Sequence, residues 1–181
     1  MLIHEPPVPV CDALCLRQLA PRDIDAWFRL LSDERVTRHT SWALASSRDL
    51  DPLVQDCLAT TPDSPIRFAV LRQADQALVG TIGFHTISSH HGTAEIAYEF
   101  AAEAWGKGWA SACCQAVTEW GFRLRGYGRI QGTVLESNPA SARVLQKCGF
   151  VLEGRLRHFR RVRGVPRDYL LYARLADSPI I

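Results

Sequence analysis

The sequence has little net charge and no long apolar run. Its 21 lysines and arginines balance 19 acidic residues almost completely, leaving a formal charge of +2 over 181 residues. A charge this small does not by itself indicate a nucleic-acid partner. No apolar segment reaches the roughly 20 residues of a membrane helix, and the opening MLIHEPPVPVCDALCL lacks a basic start followed by an apolar run. We therefore expect a cytoplasmic protein that binds neither nucleic acid nor a membrane.

The cysteines lack the spacing of a metal site or of a disulfide framework. Cys11 and Cys15 have no second pair at zinc-finger spacing. The other four cysteines lie within helix-like patterns rather than in a short, loop-rich chain: Cys57, Cys113, Cys114 and Cys148. We predict reduced thiols in the core and no bound metal.

The chain also lacks internal repeats and linkers. Its length and its hydrophobic content of 47% are those of one ordinary domain with its own core, here residues 1–181. The basic stretch GRLRHFRRVRG, residues 154–164, alternates arginine with apolar residues. That alternation is more typical of a solvated strand than of an RNA-binding segment.

Hydrophobic periodicity predicts seven strands and four helices. The second to fourth strands are joined by QADQ and SHHG, which are short enough for hairpins, so they form an antiparallel meander. The predicted strands cover residues 14–19, 66–72, 78–88, 93–100 and 130–136 and the two sides of RVRGVPRD. The predicted helices cover 24–31, 49–60, 109–124 and 138–150. A meander followed by strand, helix, strand, helix and hairpin indicates an α+β fold with a mixed sheet.

A glycine turn, EAWGKGWASA at residues 103–112, precedes the longest predicted helix. A P-loop requires glycine where Ala101 stands and a hydroxyl where Gly108 stands. A dinucleotide-binding turn requires alternating βαβ units, but a meander precedes this one. A diphosphate held by the N–H groups of the turn and by the helix dipole is compatible with these surroundings. The other interpretation is a plain, flexible helix start.

The context of this turn resembles a known family. The segments TAEIAYEF, AEAWGKGWASA, LESNPASARVLQKCGFVLEGRLR and GVPRDYLLYARL together resemble the GNAT-superfamily acyltransferases, and within them the RimJ/RimL-type N-acetyltransferases. The glycine turn is followed about thirty residues later by Asn138-x-x-Ser141 and then by KCGF. The superfamily signature has Gln or Arg three residues before the first glycine, where this chain has Glu103.

The resemblance implies a single domain with a mixed, mostly antiparallel seven-stranded sheet flanked by about four helices. It also implies that acetyl-CoA lies in a V-shaped split between the fourth and fifth strands. Its pantetheine arm would pair with the backbone of residues 99–101 as an added strand. Its diphosphate would bind the N–H groups of residues 106–110. The implied cofactor-binding residues are Glu99, Phe100, Ala101, Gly106, Lys107, Gly108, Trp109, Ala110, Asn138 and Ser141.

Acetyl transfer to an amine requires a proton acceptor, support for an oxyanion and a proton for the leaving thiolate. Glu95 is the first candidate for the base, because AEIAY matches by position the catalytic glutamate of histone-acetylating relatives; Glu99 or a chain of waters comes next. A backbone N–H near Glu99 or Phe100 would support the oxyanion. Ser141 is the candidate acid. Each of these side chains also has a purely structural interpretation, as a paired strand carboxylate or a helix-start serine.

The acceptor is the part that the resemblance leaves open. We expect a primary amine, either a protein N-terminus of the ribosomal-protein type or a small amine. A polyamine or aminoglycoside acetyltransferase and a non-catalytic acyl-CoA sensor are the alternatives. The acceptor site would be built from residues 38–42 and the hairpin at 157–167, including Arg157, Arg160 and Arg163. The resemblance also allows a homodimer.

Overall fold

One mixed sheet contains all seven strands of the computed structural model, which describes residue 3 and residues 5–177. Its strand order is β1-β2-β3-β4-β5-β7-β6, and only the β4–β5 pair is parallel. The α+β class and the meander are thereby confirmed. The strands are β1 (Leu14–Gln18), β2 (Ile66–Arg72), β3 (Leu78–Ser88), β4 (Thr93–Phe100), β5 (Arg129–Leu135), β6 (Val151–Val162) and β7 (Val165–Leu175).

In the part of the chain that the structure describes, five α-helices accompany the sheet, one more than the periodicity predicts. They are α1 (Ile24–Leu31), α2 (Glu34–Thr37), α3 (Asp51–Leu58), α4 (Trp109–Arg125) and α5 (Pro139–Lys147). The additional helix, α2, is four residues long and begins where the Asp33 side chain accepts a hydrogen bond from the N–H of Arg35 at 2.9 Å. A single turn is too short for a helical period to be visible in the sequence. Among the described residues, no helix combines the length and the apolarity of a membrane span.

The sheet carries a separate apolar layer on each face. One layer packs α4 and α5 against the strands, and its fully buried members include Phe68, Ile82, Phe84, Cys113, Val117 and Ile130. The other layer packs α1 and α3 against the opposite face, and it includes Leu19, Trp27, Leu50, Val54 and Ala69. Because β4 alternates between the two layers, its odd-numbered and even-numbered side chains face different surroundings.

Helix α4 begins and ends at glycines in the left-handed region, Gly108 with φ +76° and Gly126 with φ +68°. Within it, Gly121 brings the helix close to the sheet, since a Cβ there would lie 2.8 Å from Phe84 and 2.9 Å from Ile130. The predicted helix extends to residue 124, but 55% of Leu124 is exposed, so the last turn of α4 lies outside the core. The buried face ends at Gly121, one turn before the helix does.

The sheet splits between β4 and β5. The two strands pair at three positions, where Thr93 to Glu95 lie opposite Arg129 to Gln131. Strand β4 then continues for five more residues along β3. The edge of β4 that follows Glu95 is therefore without β5 as a neighbour. This is the V-shaped split that the resemblance implies, and it places the end of β4 next to the start of α5.

A bulge interrupts the outer hairpin of β6 and β7. The pairing passes from Leu156–Tyr169 directly to Arg160–Arg167, so three residues of β6 are looped out. At the centre of the loop, His158 has φ +50° and donates its N–H to the Asp168 carboxylate at 2.8 Å. A bulge re-aims the side chains that follow it. Here it accompanies the contact of Arg160 with β4 that is described below.

Candidate active site

Two neighbouring cavities open at the split of the sheet. We call the first, of about 380 Å³, the strand cavity, because side chains of β2 to β5 line it. We call the second, of about 480 Å³, the glycine cavity, because Gly106 and Gly108 line it. The two cavities share their junction residues: His39, Thr40, Tyr98, Glu99, Asn138 and Ser141. Two ligands bound side by side would therefore meet at the end of β4.

The glycine cavity is built around an open backbone turn. Gly106 and Gly108 have φ of +75° and +76°, and a Cβ added to either would meet nothing within 4 Å. The turn therefore needs glycine for its conformation and not for close internal packing. It leads directly into the 17-residue helix α4. Open N–H groups at the positive end of a helix fit a phosphate or diphosphate.

Basic side chains surround this turn. Arg35 and Arg38 line the glycine cavity from one side, and Arg143 and Lys147 line it from α5. Lys107 has a different position, with its Nζ 4.6 Å from the centre of the Trp109 ring. Because Arg35 is paired with Asp33, the cations that make the cavity suited to an anionic ligand are Arg38, Arg143 and Lys147.

Eight of the ten predicted cofactor-binding residues line the glycine cavity, and these are Glu99, Phe100, Gly106, Gly108, Trp109, Ala110, Asn138 and Ser141. Ala101 and Lys107 lie outside its lining. The backbone of Ala101 already has partners, since its N–H donates to Val79 and its carbonyl accepts from Ala104, each at 2.9 Å. The β4 edge that remains for an added strand is therefore shorter than the predicted 99–101.

Ser141 lies at the junction and is held from two sides. The Asn138 side chain caps α5 by accepting the Ser141 N–H at 3.2 Å. The hydroxyl of Tyr98 lies 3.1 Å from Ser141 Oγ and donates to the Ser141 carbonyl at 3.2 Å. Burial raises the pKa of Tyr98 well above its usual value, so this phenol stays protonated. No sequence motif marks Tyr98, because its contact with α5 depends on how the helix returns to the sheet.

Glu95 lies on the floor of the strand cavity with several hydrogen-bond donors around it. Its Oε1 lies 2.7 Å from Thr133 Oγ1 and 3.1 Å from both His85 Nε2 and Arg160 Nη2. The Gln131 amide is a longer contact, 3.4 Å from Oε2. Only 7% of the residue is exposed. The predicted base is thus a buried carboxylate that faces the cavity.

These donors set the ionisation of Glu95. Burial alone raises the pKa of the carboxyl, but hydrogen bonds from His85 and Thr133 and the charges of His85 and Arg160 outweigh it. The net result is a pKa lowered to about 2. The carboxylate is therefore ionised throughout the neutral range, and it has little tendency to hold a proton there.

Glu99 is bound into a compact buried cluster. Its carboxylate pairs with Arg67, accepts from Thr81 Oγ1 at 2.9 Å and accepts from Trp42 Nε1 at 3.0 Å. Arg67 in turn lies over the ring of Trp27, 5.1 Å from its centre. These contacts support the structural interpretation of the Glu99 side chain.

The segments expected to form the acceptor site contribute unequally. Residues 39–42 line the strand cavity, and so does Arg160. Arg157 and Arg163 lie outside its lining, and Arg163 pairs with Glu34 at 3.3 Å. His85, which no motif marks, lines the same cavity. In the part of the chain that the structure describes, no group of three His, Cys, Asp or Glu side chains is placed to hold a metal ion.

A family model described as an acetyltransferase (GNAT) domain matches residues 13–151 of the chain. The uncharacterized N-acetyltransferase YoaA of Bacillus subtilis (strain 168) is 35% identical over 171 residues, which cover 92% of this chain and 96% of that protein. The ribosomal-protein-serine acetyltransferase of Escherichia coli (strain K12) is 25% identical over 178 residues, covering 94% and 97%.

Solved structures share the fold. The spermidine N-acetyltransferase of Vibrio cholerae, solved in complex with CoA and spermine, superimposes with a TM-score of 0.81 at 23% identity. The superposition covers 92% of this chain and 97% of that one. The similarity of fold therefore extends over most of both chains.

Proposed function

The chain belongs to the acetyltransferase (GNAT) domain family, and we propose that it moves the acetyl group of acetyl-CoA to a primary amine that enters the strand cavity. One observation carries this proposal. An anion-binding cavity and a cavity with a buried carboxylate meet at Tyr98, Asn138 and Ser141, where the sheet splits. Two substrates that react with one another need such a junction.

The residues of the glycine cavity fit acetyl-CoA. The N–H groups around Gly106 and Gly108 would hold its diphosphate, with Arg143 and Lys147 as neighbouring cations. The edge of β4 beyond Glu95, where the Phe100 carbonyl already accepts from Trp105 Nε1 at 2.9 Å, would receive the pantetheine arm as an added strand, and Asn138 would hold the arm from the opposite side. When bound, acetyl-CoA supplies a thioester as the acetyl donor.

Glu95 would hold the acceptor amine beside the acetyl group. An ionised carboxylate in a largely buried cavity attracts an ammonium group and orients it. Its lowered pKa makes it a poor final acceptor of the proton at neutral pH. We therefore revise the role expected from the sequence, and we propose that Glu95 positions the amine and stabilises positive charge around it.

Ser141 would deliver a proton to the departing thiolate. Its hydroxyl lies at the junction of the cavities and is backed by the Tyr98 hydroxyl at 3.1 Å. A backbone N–H of the β4 edge near Glu99 or Phe100 would support the oxyanion, where one well-placed donor is worth about 3 kcal/mol.

The charged side chains of the strand cavity indicate how many ammonium groups the acceptor carries. The two inner carboxylates already face arginines, Glu95 facing Arg160 and Glu99 facing Arg67. Glu99 is thus already paired, and an ammonium group held by Glu95 shares that carboxylate with Arg160; the third carboxylate of the lining, Asp56, lies on α3. We therefore propose an acceptor with one reacting ammonium group, either a peptide N-terminus or a small monoamine. The similarity to the ribosomal-protein-serine acetyltransferase supports the RimJ/RimL-type assignment and the peptide alternative.

A polyamine is the second candidate acceptor. It is favoured by the spermidine N-acetyltransferase whose structure, with CoA and spermine, shares this fold. An aminoglycoside also carries several ammonium groups, and in this cavity they would be repelled by Arg160 and Arg67. An acyl-CoA sensor would bind the cofactor without any turnover.

The test is the release of free CoA from acetyl-CoA by the purified chain with a panel of amines. The panel contains a short peptide with a free N-terminus, the same peptide N-acetylated, a monoamine, spermidine and an aminoglycoside. We expect release with the free peptide or the monoamine and none with the blocked peptide. Preference for spermidine would reject the single-charge acceptor. Binding of acetyl-CoA without release with any amine would favour the sensor.

Three expectations from the sequence are untested and stay predictions. These are the cytoplasmic location, the homodimer and the organisation of residues 1–181 as a single domain. Size-exclusion chromatography with light scattering at several protein concentrations tests the second of them.

A further inference from the structure

The proposed reaction leaves one proton without a destination. The acceptor enters as an ammonium ion and must lose a proton before its nitrogen can attack a thioester. Glu95 is the nearest expected base, but its donors favour the ionised form strongly. Resting on the proposed function, we propose that His85 Nε2 receives this proton, with Glu95 as the carboxylate that positions the imidazole and the amine.

The position of His85 results from a bulge in the sheet. Phe84 pairs with Ile96 and Thr86 pairs with Glu95, so His85 is the extra residue on β3. The bulge accompanies the placement of the ring in the lining of the strand cavity, where 31% of the side chain is exposed. Bulges are frequent beside active sites because they re-aim a side chain. Histidine also exchanges protons near neutral pH more readily than any other side chain.

Both ring nitrogens have oxygen neighbours that suit a proton acceptor. Nδ1 lies 3.0 Å from Thr86 Oγ1, and Nε2 lies 3.1 Å from Glu95 Oε1. Before the transfer His85 is neutral, with its proton on Nδ1 donated to Thr86 Oγ1 and a lone pair on Nε2, and Thr133 and Arg160 remain as the donors to Glu95. An ammonium group bound there touches Glu95 and His85 together. After the transfer, the imidazolium donates from Nδ1 to Thr86 and from Nε2 to Glu95.

The proton balance of this step is complete. One N–H bond of the ammonium breaks and an Nε2–H bond forms, leaving a neutral amine and an imidazolium ion. The amine nitrogen then forms the C–N bond as the C–S bond breaks. The thiolate takes its proton from the Ser141 hydroxyl, which recovers one from the second N–H of the amine. The imidazolium finally loses its proton to water.

The charged groups around His85 are consistent with this role. Glu95 faces it from β4, and the Arg160 guanidinium reaches the same carboxylate oxygen from β6. The second histidine of the cavity, His39, differs because burial and then the charge of Arg38 lower its pKa. His39 is therefore the competing proton acceptor, and the experiment distinguishes the two histidines.

The test compares pH profiles of kcat/KM for the wild type and for His85→Gln with the best acceptor of the amine panel. We expect kcat/KM at neutral pH to fall by about 10²–10⁴ in the variant. The inflection that an enzyme base gives to the wild-type profile should be absent from the variant, whose rate climbs continuously as the free amine becomes deprotonated. Calorimetric affinity for acetyl-CoA should stay within a factor of about two, because His85 is not in the lining of the glycine cavity.

The matched control is His91→Gln, the same chemical change at an exposed position in the turn between β3 and β4. It should keep the wild-type profile. Glu95→Gln should also lower kcat/KM, because it removes the carboxylate that positions the amine and the imidazole. An inflection that persists in His85→Gln, or that disappears in His39→Gln, overturns the proposal. Thermal unfolding of each variant identifies a loss of rate that comes from misfolding.

This experiment separates the two levels of inference. If the wild type releases no CoA with any amine, the proposed function fails and His85 fails with it. If the wild type turns over and His85→Gln keeps its rate and its profile, only the role of His85 is rejected.

Discussion

Two glutamates on one face of β4 have different surroundings, although alternation makes them look equivalent. Glu95 faces the cavity and is ringed by Thr133, His85 and Arg160. Glu99 is enclosed in the cluster with Arg67. A buried ion pair that is fully hydrogen-bonded is a structural device, whereas a carboxylate that faces a cavity can bind a ligand.

The lowered pKa of Glu95 predicts how its replacement affects stability at different pH values. A carboxyl whose pKa falls from 4.5 to about 2 on folding stabilises the protein above pH 4.5, and this stabilisation is lost as the pH falls to 2. Glu95→Gln should therefore lower the free energy of unfolding at pH 7 by about 3 kcal/mol. The difference from the wild type should shrink below pH 4.5. Urea titrations at several pH values measure it, and a difference that is constant down to pH 2 would contradict the assigned environment.

Tyr98→Phe tests whether the phenol supports Ser141. Removal of one hydrogen bond of ordinary strength costs about 1 kcal/mol, so we expect kcat to fall about three- to tenfold. The KM for acetyl-CoA should change little, because the ring remains. Tyr127→Phe is the control, since this buried tyrosine lies in the core outside the lining of both cavities. Equal effects of the two substitutions on kcat would argue against a role for the phenol.

At the scale of elements, the important unit is a glycine turn followed by a long helix. The turn is open above Gly106 and Gly108, and α4 continues for 17 residues behind it. Gly126 closes the same helix with a similar backbone conformation and equally open space. The two ends of α4 thus offer a matched pair of glycines, one inside the glycine cavity and one outside it.

Gly108→Ala and Gly126→Ala should destabilise the protein similarly, by about 1–2 kcal/mol, because both force a side chain into the left-handed region. Only Gly108→Ala should weaken acetyl-CoA binding, by tenfold or more, since its methyl group stands where a phosphate would approach the backbone. Isothermal calorimetry measures the binding, and urea unfolding measures the stability. Equal acetyl-CoA affinities in the two variants would show that the turn begins the helix and does not bind the cofactor.

Bulges explain why the role of His85 and the contact of Arg160 with Glu95 escape prediction, although Arg160 itself was expected in the acceptor site. His85 and Arg160 lie at irregularities in β3 and β6, where the register changes by one or more residues. A strand pattern with a period of two predicts which face a side chain takes only while the pairing is regular. The sequence predicts both strands, but it does not predict that their irregular positions meet at Glu95.

At the scale of the whole molecule, ligand binding and stability are linked. Acetyl-CoA bound only by the folded chain adds about 2.7 kcal/mol at a concentration of 100 times its Kd. For a chain of this size that corresponds to a rise in Tm of roughly 5–10 °C. NAD and ATP at the same concentration should leave the Tm nearly unchanged. Differential scanning fluorimetry measures the shift, and equal shifts with all three nucleotides would contradict a site selective for acetyl-CoA.

Local patterns in the sequence determined the strands, the four longer helices and the glycine turn, because periodicity and glycine preference act over a few neighbouring residues. The motif from Gly106 to Phe150 also indicated the family, and the family implied the split of the sheet. The α2 helix and the exposed end of α4 were not predicted, since one is a single turn and the other depends on where the sheet stops covering the helix.

Only the tertiary structure decided the surroundings of each candidate group. Glu95 and Thr133 are 38 residues apart, and Glu95 and Arg160 are 65 residues apart. The same holds for Tyr98 and Ser141, which are separated by 43 residues. The ionisation of a carboxylate depends on burial and on charges within a few ångströms, and these distances follow from sheet order, bulges and helix packing rather than from spacing along the chain. The sequence therefore identified Glu95 as a candidate, and the fold determined which proton donors and acceptors surround it.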